Sequence, residues 1–152
     1  MDFAKDIATI VASLVALVTL FFGVKEYSRQ GATKRAEHFL AMRRRLKENE
    51  NFKRIARLLE TNAIGLRKIP FEDKRDYLGL FEEVALSMNS GLIHKQVAHY
   101  MFGYYAIQCW KSENFWDNIN RESIYWRVFR DFVEQMKEVE RSFTYHRQNF
   151  KF

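Results

Sequence analysis

Seven cations crowd one short stretch of this chain: Arg43, Arg44, Arg45, Lys47, Lys53, Arg54 and Arg57. A guanidinium presents a planar fork of N–H donors that matches phosphate oxygens, and a lysine adds a mobile point charge, so these side chains suit an anionic ligand. Several cations acting together also release counterions from a nucleic acid, which makes single-stranded DNA or a nucleotide oligomer the polyanion to consider. Three consecutive arginines splay around a helix, so only part of the set can face one ligand. The same charges fit two other readings, a solvated helix face and contact with anionic lipid head groups.

Chemistry of other kinds finds less footing. No P-loop, HExxH, GxSxG or glycine-rich dinucleotide fingerprint occurs. The histidines His38, His94, His99 and His146 are scattered. His94 and His99 lie five residues apart, which turns them about 140° from each other on a helix and spoils a simple two-ligand metal site. Glu82 and Glu83 are adjacent and therefore diverge. Cys109, the only cysteine, stands in a mostly apolar stretch that suits a buried, inert thiol, and alone it forms no internal disulfide. The expectation is a chain that is not an enzyme, with no cofactor and no metal.

The cations need helices to position them, and the strongest helical signal precedes them. Residues 7–24 read IATIVASLVALVTLFFGV, eighteen positions without a charge. As a helix the stretch reaches about 27 Å, enough to cross a hydrocarbon core roughly 30 Å thick once flanking side chains snorkel. Asp2 and Asp6 offset the positive start, and Phe21-Phe22-Gly23-Val24 is no A-x-A site, which argues against a cleaved leader. Residues 25–58 hold eleven basic and four acidic side chains, a net +7 against +6 for the whole chain. By the positive-inside rule the N-terminus is expected outside and the remainder in the cytoplasm.

The apolar residues are sorted by size. Winding the segment at 100° per residue gathers Ala8, Thr9, Ala12, Ser13, Ala16, Thr19 and Gly23 on a stripe about 140° wide, with Leu20 the one bulky intruder. Small faces let helices approach closely, and hydroxyls bond across such a contact or line water. The stripe faces a second helix, in dry oligomeric packing, or lines a pore, or it is a chance outcome of residue types that are common in membrane helices.

After the membrane segment the periodicity stays helical, and no β alternation is persuasive. Phe39, Met42 and Leu46 form one apolar face, and Phe52, Ile55, Ala56 and Leu59 a second, with Asn49 and Asn51 marking a break. Thr61-Asn62, Gly65 and Pro70 mark a loop, Tyr77, Phe81, Val84 and Met88 a helix that ends at Asn89-Ser90-Gly91. Residues 93–111 carry apolar side chains around much of a helix, which predicts a central place. A last helix over 123–143, capped by Asn120 or Ser123, aligns Tyr125, Phe129, Phe132, Met136, Val139 and Phe143 in nearly heptad spacing. Trp110, Trp116 and Trp126 serve either core packing or base stacking. The tail TYHRQNFKF, residues 144–152, is either a frayed end or a docking strand.

These readings make an all-α chain of three parts: a transmembrane helix at 1–24, a basic juxtamembrane helical segment at 25–60 and a helical cytosolic domain at 61–152. The stretches RAEHFLAMRRRLKENENF at 35–52 and IPFEDKRDYLGLFEEVALSMNSGLIHKQVAHYMFGYYAIQCW at 69–110 resemble a group of small bacterial single-pass membrane proteins with a helical cytosolic domain. Within that group the chain is similar to the membrane effectors of two-gene phage-defence modules of the Hailong type. The resemblance implies a homo-oligomeric, tetrameric ion channel in the bacterial inner membrane. It also implies that a DNA-oligomer product of a nucleotidyltransferase-like partner enzyme keeps the channel closed, and that opening depolarises the cell. No residue-level motif transfers with it. The competing expectation is a non-conducting, membrane-anchored helical adaptor that recruits a cytosolic partner.

Overall fold

The computed structural model describes residues 2–142, and the tail at 144–152, with His146 and Phe143, lies outside them. Helices α1 (Asp2–Glu48), α2 (Glu50–Glu60), α3 (Phe71–Asn89), α4 (Lys95–Ala98), α5 (Tyr104–Lys111) and α6 (Arg127–Ser142) follow in order. Short 3-10 segments occupy Ile64–Lys68 and Ile124–Trp126, and a π-helical turn, His99–Gly103, joins α4 to α5. No strand occurs among the described residues.

Two compact units divide the chain, Met1–Ala36 and Glu37–Phe152. The expected basic segment at 25–60 is thus shared between them. In the first unit every side chain from residue 7 to residue 24 is exposed. Its most apolar eighteen-residue window has a mean hydropathy of 2.5, and none of it is buried. One helix is therefore long and apolar enough to span a membrane.

The second unit is built the opposite way. Phe39, Met42 and Leu46 of α1 are buried at three- and four-residue spacing, as are Phe52, Ile55 and Leu59 of α2. The break between the two helices is chemical: the Asn49 Oδ1 accepts from the Phe52 N–H at 3.1 Å, which caps α2. Asn62, at φ 46°, lets the Ala63 N–H return to the Leu58 carbonyl at 2.8 Å and so closes α2. Gly91, at φ 71°, ends α3 in a Schellman turn, with the Leu92 N–H on the Ser87 carbonyl at 2.9 Å.

Helix α3 packs on α6, and α5 packs on both α6 and α2. Between them Tyr77 meets Phe52 at 5.4 Å and Phe81 at 5.1 Å between ring centroids, both edge-on. Phe81 in turn meets Phe129 and Phe132 of α6. Trp116 and Trp126 are buried, Trp110 is half-buried, and the Trp116 Nε1 donates to the Cys109 carbonyl at 3.0 Å. Packing, not an open stacking face, accounts for these indoles. Cys109 is fully buried, which pushes its thiol well above the ordinary range.

Two expectations need correction. The last helix begins at Arg127 rather than Ser123, because the Ser123 hydroxyl accepts from the Tyr125 N–H at 3.4 Å and tightens the entry into a 3-10 turn. Tyr125, placed inward by the heptad spacing, is 82% exposed as a result. The 93–111 stretch is not apolar-packed all round either. Tyr100 and Tyr104 are exposed, since the π-turn inserts a residue and shifts the face that points inward.

The Tyr77 hydroxyl is buried with no hydrogen-bond partner among the described residues. In the unfolded chain it bonds water, so folding leaves a desolvation cost that removal of the oxygen relieves. Tyr77→Phe is expected to raise the unfolding free energy by about 1 kcal/mol. Urea titration of the full chain in mild detergent, followed by tryptophan fluorescence, reads the second unit alone because all three tryptophans lie in it. A lower midpoint would show that the hydroxyl is bonded in the fold.

Candidate anion-binding surface and small-residue helix face

The seven predicted cations do not form one surface. Arg43 follows Phe39 by four residues, so it lies beside the buried stripe of α1 and is half-buried. Its Nη1 donates at 2.8 Å to the Met101 carbonyl oxygen, inside the π-turn. In that turn the backbone bonds are spaced at five residues rather than four, and a side-chain donor from another helix helps hold the distorted ladder. Gly103 belongs to the same arrangement: a Cβ there would come within 2.8 Å of the His99 ring. The neighbouring ring pair Phe39 and Phe102, at 5.4 Å, packs the same helices together.

Arg45 is engaged as well. Its two Nη atoms donate to both oxygens of Glu83 on α3, at 3.1 and 3.0 Å. Arg44 is exposed and stands 3.9 Å from Glu48, a weak pair one turn on. Arg54 is exposed too.

The remaining three cations converge. Lys53, Arg57 and Glu60 recur at four and three residues on the flank of α2, and Lys47 comes from the last turn of α1 across the Asn49 break. Together with Tyr105 of α5 they line a cavity of about 170 Å³ floored by Leu46. The Lys53 Nζ is held by Glu50 at 2.7 Å, which orients it and leaves N–H donors to spare. Tyr105 and Glu60 were not legible as site residues, because nothing in their local sequence marks them; packing of α5 on α2 brings Tyr105 there.

Arg45 and Arg75 line a second cleft, of about 480 Å³, with Asp73, Asp76, Glu82 and Glu83 in its walls. Asn51 donates to Asp73 at 2.8 Å and Arg75 to Asp76 at 3.2 Å. Burial pushes the Glu82 carboxyl above the usual range, and the Phe129 backbone N–H pulls it back. Lys74 is buried, its ammonium 5.5 Å from the Phe115 ring centre. Burial lowers its pKa, against the attraction of Asp117. Among the described residues no group of histidine, cysteine and carboxylate side chains is arranged to hold a metal.

In the first unit the predicted face, Thr9, Ala12, Ser13, Ala16, Thr19 and Gly23, is exposed throughout. Each hydroxyl donates to the carbonyl four residues back: Thr9 to Lys5 at 2.9 Å, Ser13 to Thr9 at 2.8 Å and Thr19 to Val15 at 2.8 Å. Their donors are satisfied within the helix, and their oxygen lone pairs still face outward. Compared with known proteins, the chain matches no family model, no curated protein and no solved structure.

The geometry separates cations that hold the fold from cations that face a cavity. Arg43→Gln is expected to lower the unfolding free energy by about 1.5–3 kcal/mol, the range for a hydrogen bond to a charged group. Arg44→Gln is expected to stay within about 0.5 kcal/mol of the parent. The same tryptophan-monitored urea titration checks both, and equal midpoints for the two variants would remove Arg43 from its structural role.

Proposed function

We propose that the chain is a single-pass, homo-oligomeric membrane channel whose cytoplasmic helical unit responds to an anionic ligand. The observation that carries this reading is the apolar helix of residues 7–24, exposed along its whole length with its small and hydroxyl-bearing residues on one face. An isolated helix in lipid has no need to sort side chains by size, whereas an assembly of copies around an axis does. With the Thr9, Ser13 and Thr19 donors used inside the helix, a ring of copies would turn only acceptor oxygens toward the axis. Such a lining favours cations over anions.

The orientation, with the N-terminus outside, rests on the +7 balance at 25–58. The bacterial inner membrane, the tetrameric count, the role in antiphage defence and the nucleotidyltransferase-like partner rest on the resemblance of 35–52 and 69–110. A DNA or nucleotide oligomer as the ligand draws on that resemblance and on the cations left facing solvent. Differential affinity for closed and open assemblies would do the gating.

One observation favours the second reading, a non-conducting membrane-anchored adaptor. Hydroxyls bonded to their own helix need neither water nor a partner, so the same stripe suits dry packing. Reconstituted into liposomes, the full-length channel should pass cations, and Ser13→Leu or Thr19→Leu should reduce that flux by about tenfold or more. Leu17→Ile, on the bulky side, should not. An ion-tight parent in every oligomeric preparation would favour the adaptor, as would full function after replacement of residues 7–24 by an unrelated membrane helix.

A further inference from the structure

We propose that the cavity between the last turn of α1, the flank of α2 and Tyr105 is a binding site for one terminal phosphate group, a phosphomonoester. The assignment rests on the reading above, that the cytoplasmic unit takes an anionic ligand, and it narrows what that ligand presents.

The cations of residues 43–57 are divided between fold and surface. A strand running across a protein is held by a row of positive side chains, each neutralising one phosphate. Here Arg43 is bonded to the Met101 carbonyl and Arg45 to Glu83, and Arg44 and Arg54 stand apart on the exposed surface. The one place where several cations of the stretch line a common cavity, of about 170 Å³, is at Lys47, Lys53 and Arg57.

A phosphomonoester carries about −1.5 to −2 charges at neutral pH and three strong acceptor oxygens. A phosphodiester within a strand carries one charge shared by two free oxygens. Three cationic donors approaching from two helices fit the first better. Glu60 stands in the same lining, so three cations less one carboxylate leave a net charge of +2, which matches one phosphomonoester and leaves nothing to neutralise an adjacent phosphate. Tyr105, half-buried, adds a hydroxyl donor and a ring edge against which the group bearing the phosphate can rest.

The phosphomonoester has two possible sources, the 5′ end of a soluble nucleotide or oligonucleotide and a phosphatidic-acid headgroup. The test uses the full chain in nanodiscs. In neutral phosphatidylcholine discs, fluorescence anisotropy is expected to show binding of a short 5′-phosphorylated oligothymidylate about tenfold or more tighter than its 5′-hydroxyl form. In discs containing phosphatidic acid, a lipid source is expected to raise the tryptophan-monitored unfolding midpoint above that in phosphatidylglycerol discs. Whichever effect appears should be lost in Lys47→Gln with Arg57→Gln and kept in Arg54→Gln. Lys47 and Arg57 are exposed, so the ligand-free double variant should unfold like the parent. Equal affinity for the two oligonucleotides with no preference for phosphatidic acid overturns the site, as does an effect that survives the double substitution. Selective binding without ion flux would leave the site standing and remove the channel, while flux without selective binding would do the reverse.

Discussion

Apolar surface in water is unfavourable in proportion to its area, at roughly 25 cal/mol per Å², and the two units of this chain answer that constraint in opposite ways. In the second unit Tyr77 and Phe81 sit at the centre, with Phe52, Phe115, Phe129 and Phe132 around them, all buried. Each such aromatic side chain contributes about 2–3 kcal/mol when fully buried, and edge-on pairing adds to it. In the first unit Leu14, Leu17, Phe21 and Phe22 have no protein cover at all. An amphipathic helix can rest its one apolar face on a core. A helix that is apolar around its whole circumference can find such cover only in lipid or against further apolar surface.

The charges are distributed by the same logic. Where a cation falls beside a buried stripe it must find a fixed partner, because a desolvated charge without one is costly. Arg43 finds a carbonyl in the π-turn, and the turn is in return tied to α1. Arg45 reaches the edge of the acidic cleft and pairs with Glu83 there. Lys47, Arg54 and Arg57 fall on the exposed side of their helices and are not drawn into the core in this way, so they remain available to solvent.

Much of the fold was legible in the sequence because its punctuation is local. Asn49, Pro70 and Asn89-Ser90-Gly91 stop or start helices through bonds made within a few residues, and Phe129, Phe132, Met136 and Val139 are buried as their spacing implies. The π-turn was not legible. Its apolar residues read as a helix with no clear solvent side, and one inserted residue leaves no mark on such a pattern. The candidate site was half legible for a related reason. Residue type marked seven cations, but the partners that withdraw Arg43 and Arg45 stand 58 and 38 positions away in the chain. No spacing rule within residues 43–57 could sort them.

The position of the cavity bears on how binding there would become regulation. Lys47 lies on one side of the Asn49 cap, and Lys53 and Arg57 on the other. A phosphate held by all three needs one angle between the end of α1 and the start of α2, so its affinity falls when that angle changes. A ligand of equal affinity for two arrangements shifts neither, however tightly it binds. A ligand gripped from both sides of a helix break meets the opposite condition. The break is fastened by the Asn49 side chain on the Phe52 N–H and by the Asn49 N–H on the Arg45 carbonyl, both at 3.1 Å. Each is an ordinary hydrogen bond worth about 1 kcal/mol net, comparable to what differential phosphate contacts supply. Burial of Leu46 and Phe52 on either side of Asn49 adds to these bonds, so an occupant of the proposed site would have to act against core packing as well as against the cap.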